Sequence, residues 1–197
     1  MSHRARVKSS FSGGNRASLL LFNKPFGVMS QFTGEHPNLG DYIKQKGYYP
    51  AGRLDKDSEG LLLLTPDGAL QARIAEPKFK MEKTYWAQLE GEVTADALQK
   101  LTDGVELKDG KTKPAKVRIL DEAPLPPRTP DIRSRKNQTT SWIALTISEG
   151  RNRQVGRMTA AVGFPTLRLY RFSIGPWSIG ELEIGASRLE SVNLPKR

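Results

Sequence analysis

Three carboxylates stand close together in residues 51–68, which read AGRLDKDSEGLLLLTPDG. Asp55, Asp57 and Glu59 occupy alternate positions just before four consecutive leucines, Leu61 to Leu64. Carboxylates in this pattern can coordinate a metal ion, act as a nucleophile, or stabilise a turn by pairing with a cation. The spacing alone leaves these three interpretations open.

The metal interpretation meets a geometric difficulty. The three carboxylates imitate the opening of a calcium-binding loop, but such a loop needs a bidentate glutamate at its twelfth position. That position is Pro66, and the leucine run occupies the second half of the loop. A magnesium-dependent nuclease needs only two or three carboxylates, so this version stays open. In the turn interpretation, Arg53 pairs with Asp57 or Glu59.

The composition excludes several other chemistries. The chain has no cysteine, which rules out thiol nucleophiles, disulfides, zinc fingers and iron–sulfur clusters. Its two histidines are His3, in a basic N-terminal stretch, and His36, which precedes Pro37. A Ser-His-Asp triad or a histidine-based metal site therefore does not fit this sequence.

The charge balance favours a polyanionic partner. Lysine and arginine total 31 against 21 acidic residues, so the 197-residue chain has a net charge of +10. Such a basic protein most often binds nucleic acid. Residues 1–17 contain four of the basic residues and no acid, so we expect a flexible basic arm that contacts RNA. The aliphatic runs are too short for a membrane span, and the N-terminus lacks a signal-peptide pattern, so we expect a cytoplasmic protein.

Hydrophobic periodicity and turn residues predict the elements that position these side chains. We expect strands at residues 19–22, 60–65, 83–91, 116–120, 141–150 and 166–174. We expect helices at 38–47, 69–77, 94–104 and 151–163, with Asn38 and Thr94 as N-caps. The proline-rich residues 121–140 predict a surface loop. Because strands and helices do not alternate strictly, we predict an α+β fold with a central, mixed, mostly antiparallel sheet flanked by helices.

Residues 52–68, GRLDKDSEGLLLLTPDG, resemble the signature of the pseudouridine synthases, G-R-L-D-x-x-[ST]-x-G-L-L-L-L-T-x-D-G. Four further segments match that family in the right order: LLFNKPFGV, KTYWAQLEG, ISEGRNRQVGRM and LRLYRFSIGPWSIGELEIGASRL. The resemblance covers about residues 18–190 and concerns the branch with ribosomal small-subunit synthase A and large-subunit synthases B, E and F. The segments EGRNRQV and FPTLRL make the chain most similar to the E group.

This resemblance implies one catalytic domain over residues 18–197, with two lobes around an active-site cleft. We expect no N-terminal RNA-binding accessory domain before it, only the arm of residues 1–17. The implied reaction isomerises a specific uridine of 23S (large-subunit) ribosomal RNA, free or in a pre-ribosomal particle. It needs no cofactor and no metal, and we expect a monomer.

The resemblance also implies roles for individual residues. Asp55 matches the family's nucleophile, which attacks either uracil C6 or ribose C1′, and Tyr85 matches its active-site tyrosine. Arg53 is expected to fill the space left by the flipped base or to grip the RNA backbone. We expect phosphate contacts from a further set of basic side chains: Lys24, Lys83, Arg151, Arg153 and Arg157.

The chain departs from the family pattern at Gly156, where lysine or arginine usually follows Q-V. If that basic residue pairs with the nucleophile, Arg153 or Arg157 must replace it here. An alternative function follows from this departure: an RNA-binding or ribosome-assembly protein with weak or lost catalysis.

Overall fold

A nine-stranded mixed sheet organises the chain in the computed structural model, which describes residues 16–132 and 138–194. Its strands, together with those of a separate two-stranded hairpin, are β1 (Arg16–Lys24), β2 (Tyr49–Pro50), β3 (Glu59–Thr65), β4 (Lys83–Glu90), β5 (Glu106–Leu107), β6 (Gly110–Lys111), β7 (Lys116–Leu120), β8 (Thr140–Ile147), β9 (Thr166–Ile174), β10 (Trp177–Ser178) and β11 (Ser187–Asn193). The α-helices are α1 (Leu39–Tyr42), α2 (Gly68–Ala75), α3 (Ala95–Asp103) and α4 (Gln154–Ala161).

The order of strands in the sheet is β11-β1-β3-β9-β4-β8-β7, with β2 added to β3 and β10 added to β9. Strands β3 and β9 pair in parallel, and the other pairs of the sheet are antiparallel. Strands β5 and β6 form the hairpin. This architecture confirms the predicted α+β fold with a mixed, mostly antiparallel sheet.

Strand β3 is buried on both faces, as its unbroken leucine run predicts. Leu61 and Leu63 pack into a core that α2 covers through Leu70. Leu62 and the other alternate residues pack into a core on the opposite face, which α1 covers through Leu39. The strand that follows the acidic cluster is therefore held rigidly from two sides.

A third core lies in the half of the sheet formed by β4 and β8. Ile143, Leu145 and Ile147 pack there together, as their alternation predicts. Helix α3 adds Leu101, and α4 adds Met158. A cleft of about 500 Å³ is lined by residues from both halves of the sheet. This arrangement places the ends of β3, β4, β8 and β9 around one site.

Most predicted elements are present, with shifted boundaries. The Asn38 and Thr94 side chains cap α1 and α3 as expected. Helix α1 ends at Tyr42 and not near Gly47, because Ile43 is extended and buried in the core. In the described part of the predicted loop, 121–132 and 138–140, only Thr140 belongs to a helix or strand, as the first residue of β8.

Strand β1 begins two residues inside the predicted arm, since Arg16 and Ala17 already pair with β11. The rest of that arm, residues 1–15, lies outside the described residues. Among the residues that the structure does describe, no helix has both the length and the apolar character to cross a membrane.

Candidate active site

The loop between β2 and β3 carries Asp55 and is fixed at both sides of it. Leu54 is buried, and its backbone N–H and carbonyl both bond the hydroxyl of Ser30, at 3.2 and 2.5 Å. The carbonyl of Lys56 accepts a hydrogen bond from the N–H of Gly27 at 2.7 Å. Between these anchors the Asp55 carboxylate lines the cleft with 45% of its side chain exposed. The loop thus presents one carboxylate to a ligand on a rigid mount.

A guanidinium lies beside this carboxylate. Nη1 of Arg153 is 3.7 Å from a carboxylate oxygen of Asp55. The same guanidinium donates two hydrogen bonds to Asp57, at 3.1 and 2.7 Å, which hold the pKa of Asp57 below its usual range. Arg153 therefore connects the acidic loop to the start of α4 and supplies positive charge next to Asp55.

Arg153 adopts a strained backbone conformation. It precedes α4 with φ 48° and ψ 33°, in the left-handed region that non-glycine residues rarely occupy. Such strain costs about 1–3 kcal/mol and is common at functional sites. Here this conformation accompanies a side chain directed at the acidic loop.

Tyr85 and Arg171 face each other across the β4–β9 pair, where they are register partners. Tyr85 is only 9% exposed, and both residues line the same cleft as Asp55. Sequence reasoning included Arg171 in a matched segment but gave it no role. Its signal was the presence of two arginines, Arg168 and Arg171, in an otherwise mostly apolar strand.

Arg171 leaves one of its side-chain nitrogens without a hydrogen-bond partner among the described residues. The residue is 4% exposed; its Nε donates to the carbonyl of Leu61 at 2.8 Å and its Nη1 to that of Arg53 at 3.4 Å. Its buried Nη2 has no hydrogen-bond partner among the described residues. A buried donor without a partner costs free energy, so a ligand oxygen that reached Nη2 would remove that cost.

Glu59 lies apart from this cluster, in the sheet. Its carboxylate accepts two hydrogen bonds of 2.8 Å from Arg168, and both side chains are 2% exposed. Glu59 is therefore bound to one guanidinium and Asp57 to another, which leaves neither to pair with Arg53. No group of three acidic, histidine or cysteine side chains suited to a metal occurs within the described ranges, so the nuclease interpretation has no three-ligand set there.

The structure corrects the phosphate contact predicted for Lys24. This residue is fully buried, and its Nζ donates to the carbonyls of Val28 at 2.8 Å and Pro25 at 3.0 Å. Burial lowers the pKa of Lys24 to about 8. An ammonium enclosed in this way cannot reach the RNA backbone, and instead it holds the turn that packs beneath the Asp55 loop.

The structure also reassigns Arg151. Its guanidinium donates to the carbonyls of Gly110 at 2.8 Å and Lys111 at 2.7 Å, and it lies 3.4 Å from Glu149. These contacts fasten the β5–β6 hairpin to the segment before α4. Because its donors are directed at protein acceptors, Arg151 does not fit the predicted phosphate contact.

The remaining predicted basic residues lie around the cleft or next to it. Arg53 is exposed and lines the cleft, as does Lys83, whose pKa is lowered by burial and by the charge of Arg171. Arg157 pairs with Asp109, at 2.7 and 3.2 Å, so of the two candidates to replace the basic residue missing at Gly156, Arg153 is the one beside Asp55. The cleft thus unites Arg53, Asp55, Lys83, Tyr85 and Arg153.

Comparisons with known proteins agree on one relationship. Residues 18–161 match a family model described as RNA pseudouridylate synthase. The chain is 54% identical to a ribosomal large subunit pseudouridine synthase E of Vibrio parahaemolyticus over 169 residues, which span 85% of this chain and 71% of that protein. It is 52% identical to the protein of the same name in Xanthomonas campestris pv. campestris, over 87% of this chain and 95% of the relative.

A solved structure gives the same result at the level of the fold. A crystal structure of a pseudouridylate synthase superimposes with a TM-score of 0.74 at 32% sequence identity. The match covers 91% of this chain and 72% of the other.

Proposed function

The chain belongs to the RNA pseudouridylate synthase family, and we propose that it isomerises one specific uridine of large-subunit ribosomal RNA to pseudouridine. The family predicted from residues 52–68 and the four matching segments is thereby confirmed, and so is the similarity to the E group. The proposed substrate is inferred from relatives whose names specify the large ribosomal subunit. We further propose that the protein acts in the cytoplasm as a monomer.

One observation supports the catalytic assignment above the others. A half-exposed carboxylate, Asp55, lies 3.7 Å from a guanidinium, in a cleft that Tyr85 and Arg171 also line. A carboxylate can form a bond to the substrate and later leave, which an isomerisation without cofactor requires. We assign the nucleophile to Asp55.

The other side chains of the cleft are assigned to stacking, proton transfer, charge stabilisation and RNA binding. We assign the Tyr85 ring to stacking on the extracted uracil. As the bond to ribose C1′ passes from N1 to C5, the hydroxyl carries a proton while the C5–H bond breaks and N1 gains a proton. Arg171 and Arg153 stabilise negative charge on the carboxylate and on the detached base. Arg53 and Lys83, at the cleft, are assigned to the RNA.

Base flipping explains why the cleft is open to solvent. The target uridine must leave its stack before Asp55 can reach it, at a cost of a few kcal/mol. The exposed Arg53, two residues before Asp55, is positioned to occupy the vacated space or to hold the backbone. The neighbouring cations offset part of the cost by binding the distorted strand.

The alternative of an RNA-binding protein with weak or lost catalysis is not supported. It rested on Gly156, which lacks the usual basic side chain. Relatives at 54% and 52% identity are synthases by name, and Arg153 brings a guanidinium to Asp55 from three residues earlier. The departure at Gly156 therefore does not remove the positive charge.

The decisive experiment maps pseudouridine in the RNA and compares the wild-type protein with one variant, Asp55→Asn. Large-subunit RNA from cells lacking the gene is incubated with the protein, and pseudouridine is located by carbodiimide-primer extension. The wild-type protein should modify one position. Asp55→Asn should lower the rate by at least about 1,000-fold, the scale for losing a nucleophile, and leave the melting temperature nearly unchanged. An equally fast Asp55→Asn variant would remove Asp55 from this role, and an inactive wild type would remove the proposed substrate.

A further inference from the structure

A second cleft, of about 400 Å³, adjoins the active-site cleft. Asp55, Ser58, Asn152, Arg153 and Leu169 line both. The two spaces therefore meet at the proposed nucleophile. A nucleotide chain whose uridine enters the first cleft would bring its neighbouring nucleotides to the second.

The floor of the second cleft is apolar and has unfilled space. It is formed by Gly156 and Ala160 of α4 and by Pro165 and Leu167, which lead into and along β9. A Cβ placed on Gly156 would meet no atom within 4 Å. A larger side chain at this position would therefore project into open space, and the glycine keeps that space available.

The charges around the second cleft disfavour a phosphate. Its two guanidiniums are each neutralised by a carboxylate: Arg153 binds Asp57 at 2.7 and 3.1 Å, and Arg157 binds Asp109 at 2.7 and 3.2 Å. A phosphate would have to compete with these carboxylates. A neutral, flat nucleobase need not compete, because it can stack on a guanidinium plane and pack against apolar atoms.

We propose that the second cleft binds the base of a nucleotide adjacent to the target uridine, and that Gly156 determines the space for it. This inference rests on the proposed function, since it assigns a second subsite to the same RNA. It also gives a consequence to the departure of Gly156 from the family pattern: a lysine or arginine here would occupy part of this space.

The test uses a hairpin transcript around the mapped uridine, with an abasic residue introduced at each neighbouring position in turn. For the wild-type protein, one abasic position should lower kcat/KM by about 10-fold, the scale of one lost base stack. Gly156→Phe should cause a similar loss on the intact hairpin. On the hairpin abasic at that position it should cause no further loss, because both changes remove the same contact.

Two further variants make the test specific. Gly68→Phe adds the same ring at an exposed glycine of α2 that has open space around it and lines neither cleft, and this variant should match the wild type. If Gly156→Phe unfolds in a thermal melt, Ala160→Phe, exposed on the same helix, replaces it.

The outcomes separate this inference from the proposed function. An active wild type that is insensitive to every abasic position, or losses that multiply in the combined experiment, would overturn the second subsite and leave the isomerase intact. A wild type that modifies no uridine of large-subunit RNA would overturn the proposed function first.

Discussion

Arg153 shows how one residue can combine two tasks that its sequence context does not reveal. The pattern RNRQVGR indicated that a guanidinium would approach Asp55, and Arg153 was one of two candidates. It could not indicate the left-handed backbone of Arg153 or its contact with Asp57, because the loop that its side chain binds lies almost one hundred residues earlier in the chain. The role of Arg171 was hidden for a similar reason, since its partner Tyr85 lies on a different strand.

The hydroxyl of Tyr85 is expected to contribute to the chemistry separately from its ring. Tyr85→Phe keeps the stacking surface and removes the proton carrier, so the single-turnover rate should fall by about 100-fold with little change in RNA affinity. Tyr85→Leu should weaken RNA binding as well, because it also removes the ring. A Tyr85→Phe enzyme with the wild-type rate would exclude the hydroxyl from proton transfer.

Buried Lys24 is expected to make stability depend on alkaline pH. Its pKa is about 8 in the folded protein against an ordinary value of 10.5. Between these values the unfolded chain binds a proton that the folded chain has released, so the free energy of unfolding contributed by Lys24 rises with pH. The pKa difference limits this rise to about 3 kcal/mol.

Urea unfolding of the wild type and of Lys24→Met, from about pH 7 to about pH 11, measures this contribution because other titrating groups cancel in the difference. The wild type should gain stability relative to the variant across the window. A difference that stays flat would show that Lys24 titrates normally and that its burial carries no such penalty.

Close approach between β3 and β9 is the element-scale feature on which the site depends. This parallel pair joins Glu59 and Gly60 to Tyr170 and Arg171. A Cβ on Gly60, whose φ is 101°, would lie 2.3 Å from the carbonyl oxygen of Arg171. Only glycine permits both the backbone conformation and this separation.

We therefore expect Gly60→Ala to destabilise the protein by more than about 2 kcal/mol and to slow the reaction through displacement of Arg171. Chemical denaturation and single-turnover kinetics would measure the two effects. The matched control is Gly68→Ala in α2, where a Cβ meets open space and no loss is expected. Equal stability of the two variants would argue against a tight β3–β9 contact.

Local patterns predicted the long strands and helices but not how they are ordered in the sheet. Leu61 to Leu64, and the alternation of Ile143, Leu145 and Ile147, indicated burial that the cores confirm. The two-residue strands carry too few residues for a pattern, and β11 is a largely polar edge strand. The neighbour relationship of β3 and β9 depends on contacts between distant segments, which periodicity does not contain.

At the scale of the whole molecule, net charge of +10 should govern association with RNA. Each phosphate contact releases counterions, so the logarithm of the affinity should fall linearly with the logarithm of the salt concentration. Replacing Arg4, Arg6 and Lys8 with glutamine should reduce that slope by up to about 2 and should leave turnover at saturating RNA unchanged. An unchanged slope would mean that the N-terminal residues do not touch RNA.

The pairing of β1 with both β3 and β11 has a consequence for synthesis. During translation one edge of β1 can pair with β3 soon after it emerges, whereas the other edge waits for β11, which follows much later in the chain. Asp55 likewise precedes Arg153 and Arg171, which supply the positive charge, by about a hundred codons. A nascent polypeptide halted before residue 153 therefore carries the acid without its counter-charges, and the site is complete only after β9 has left the ribosome.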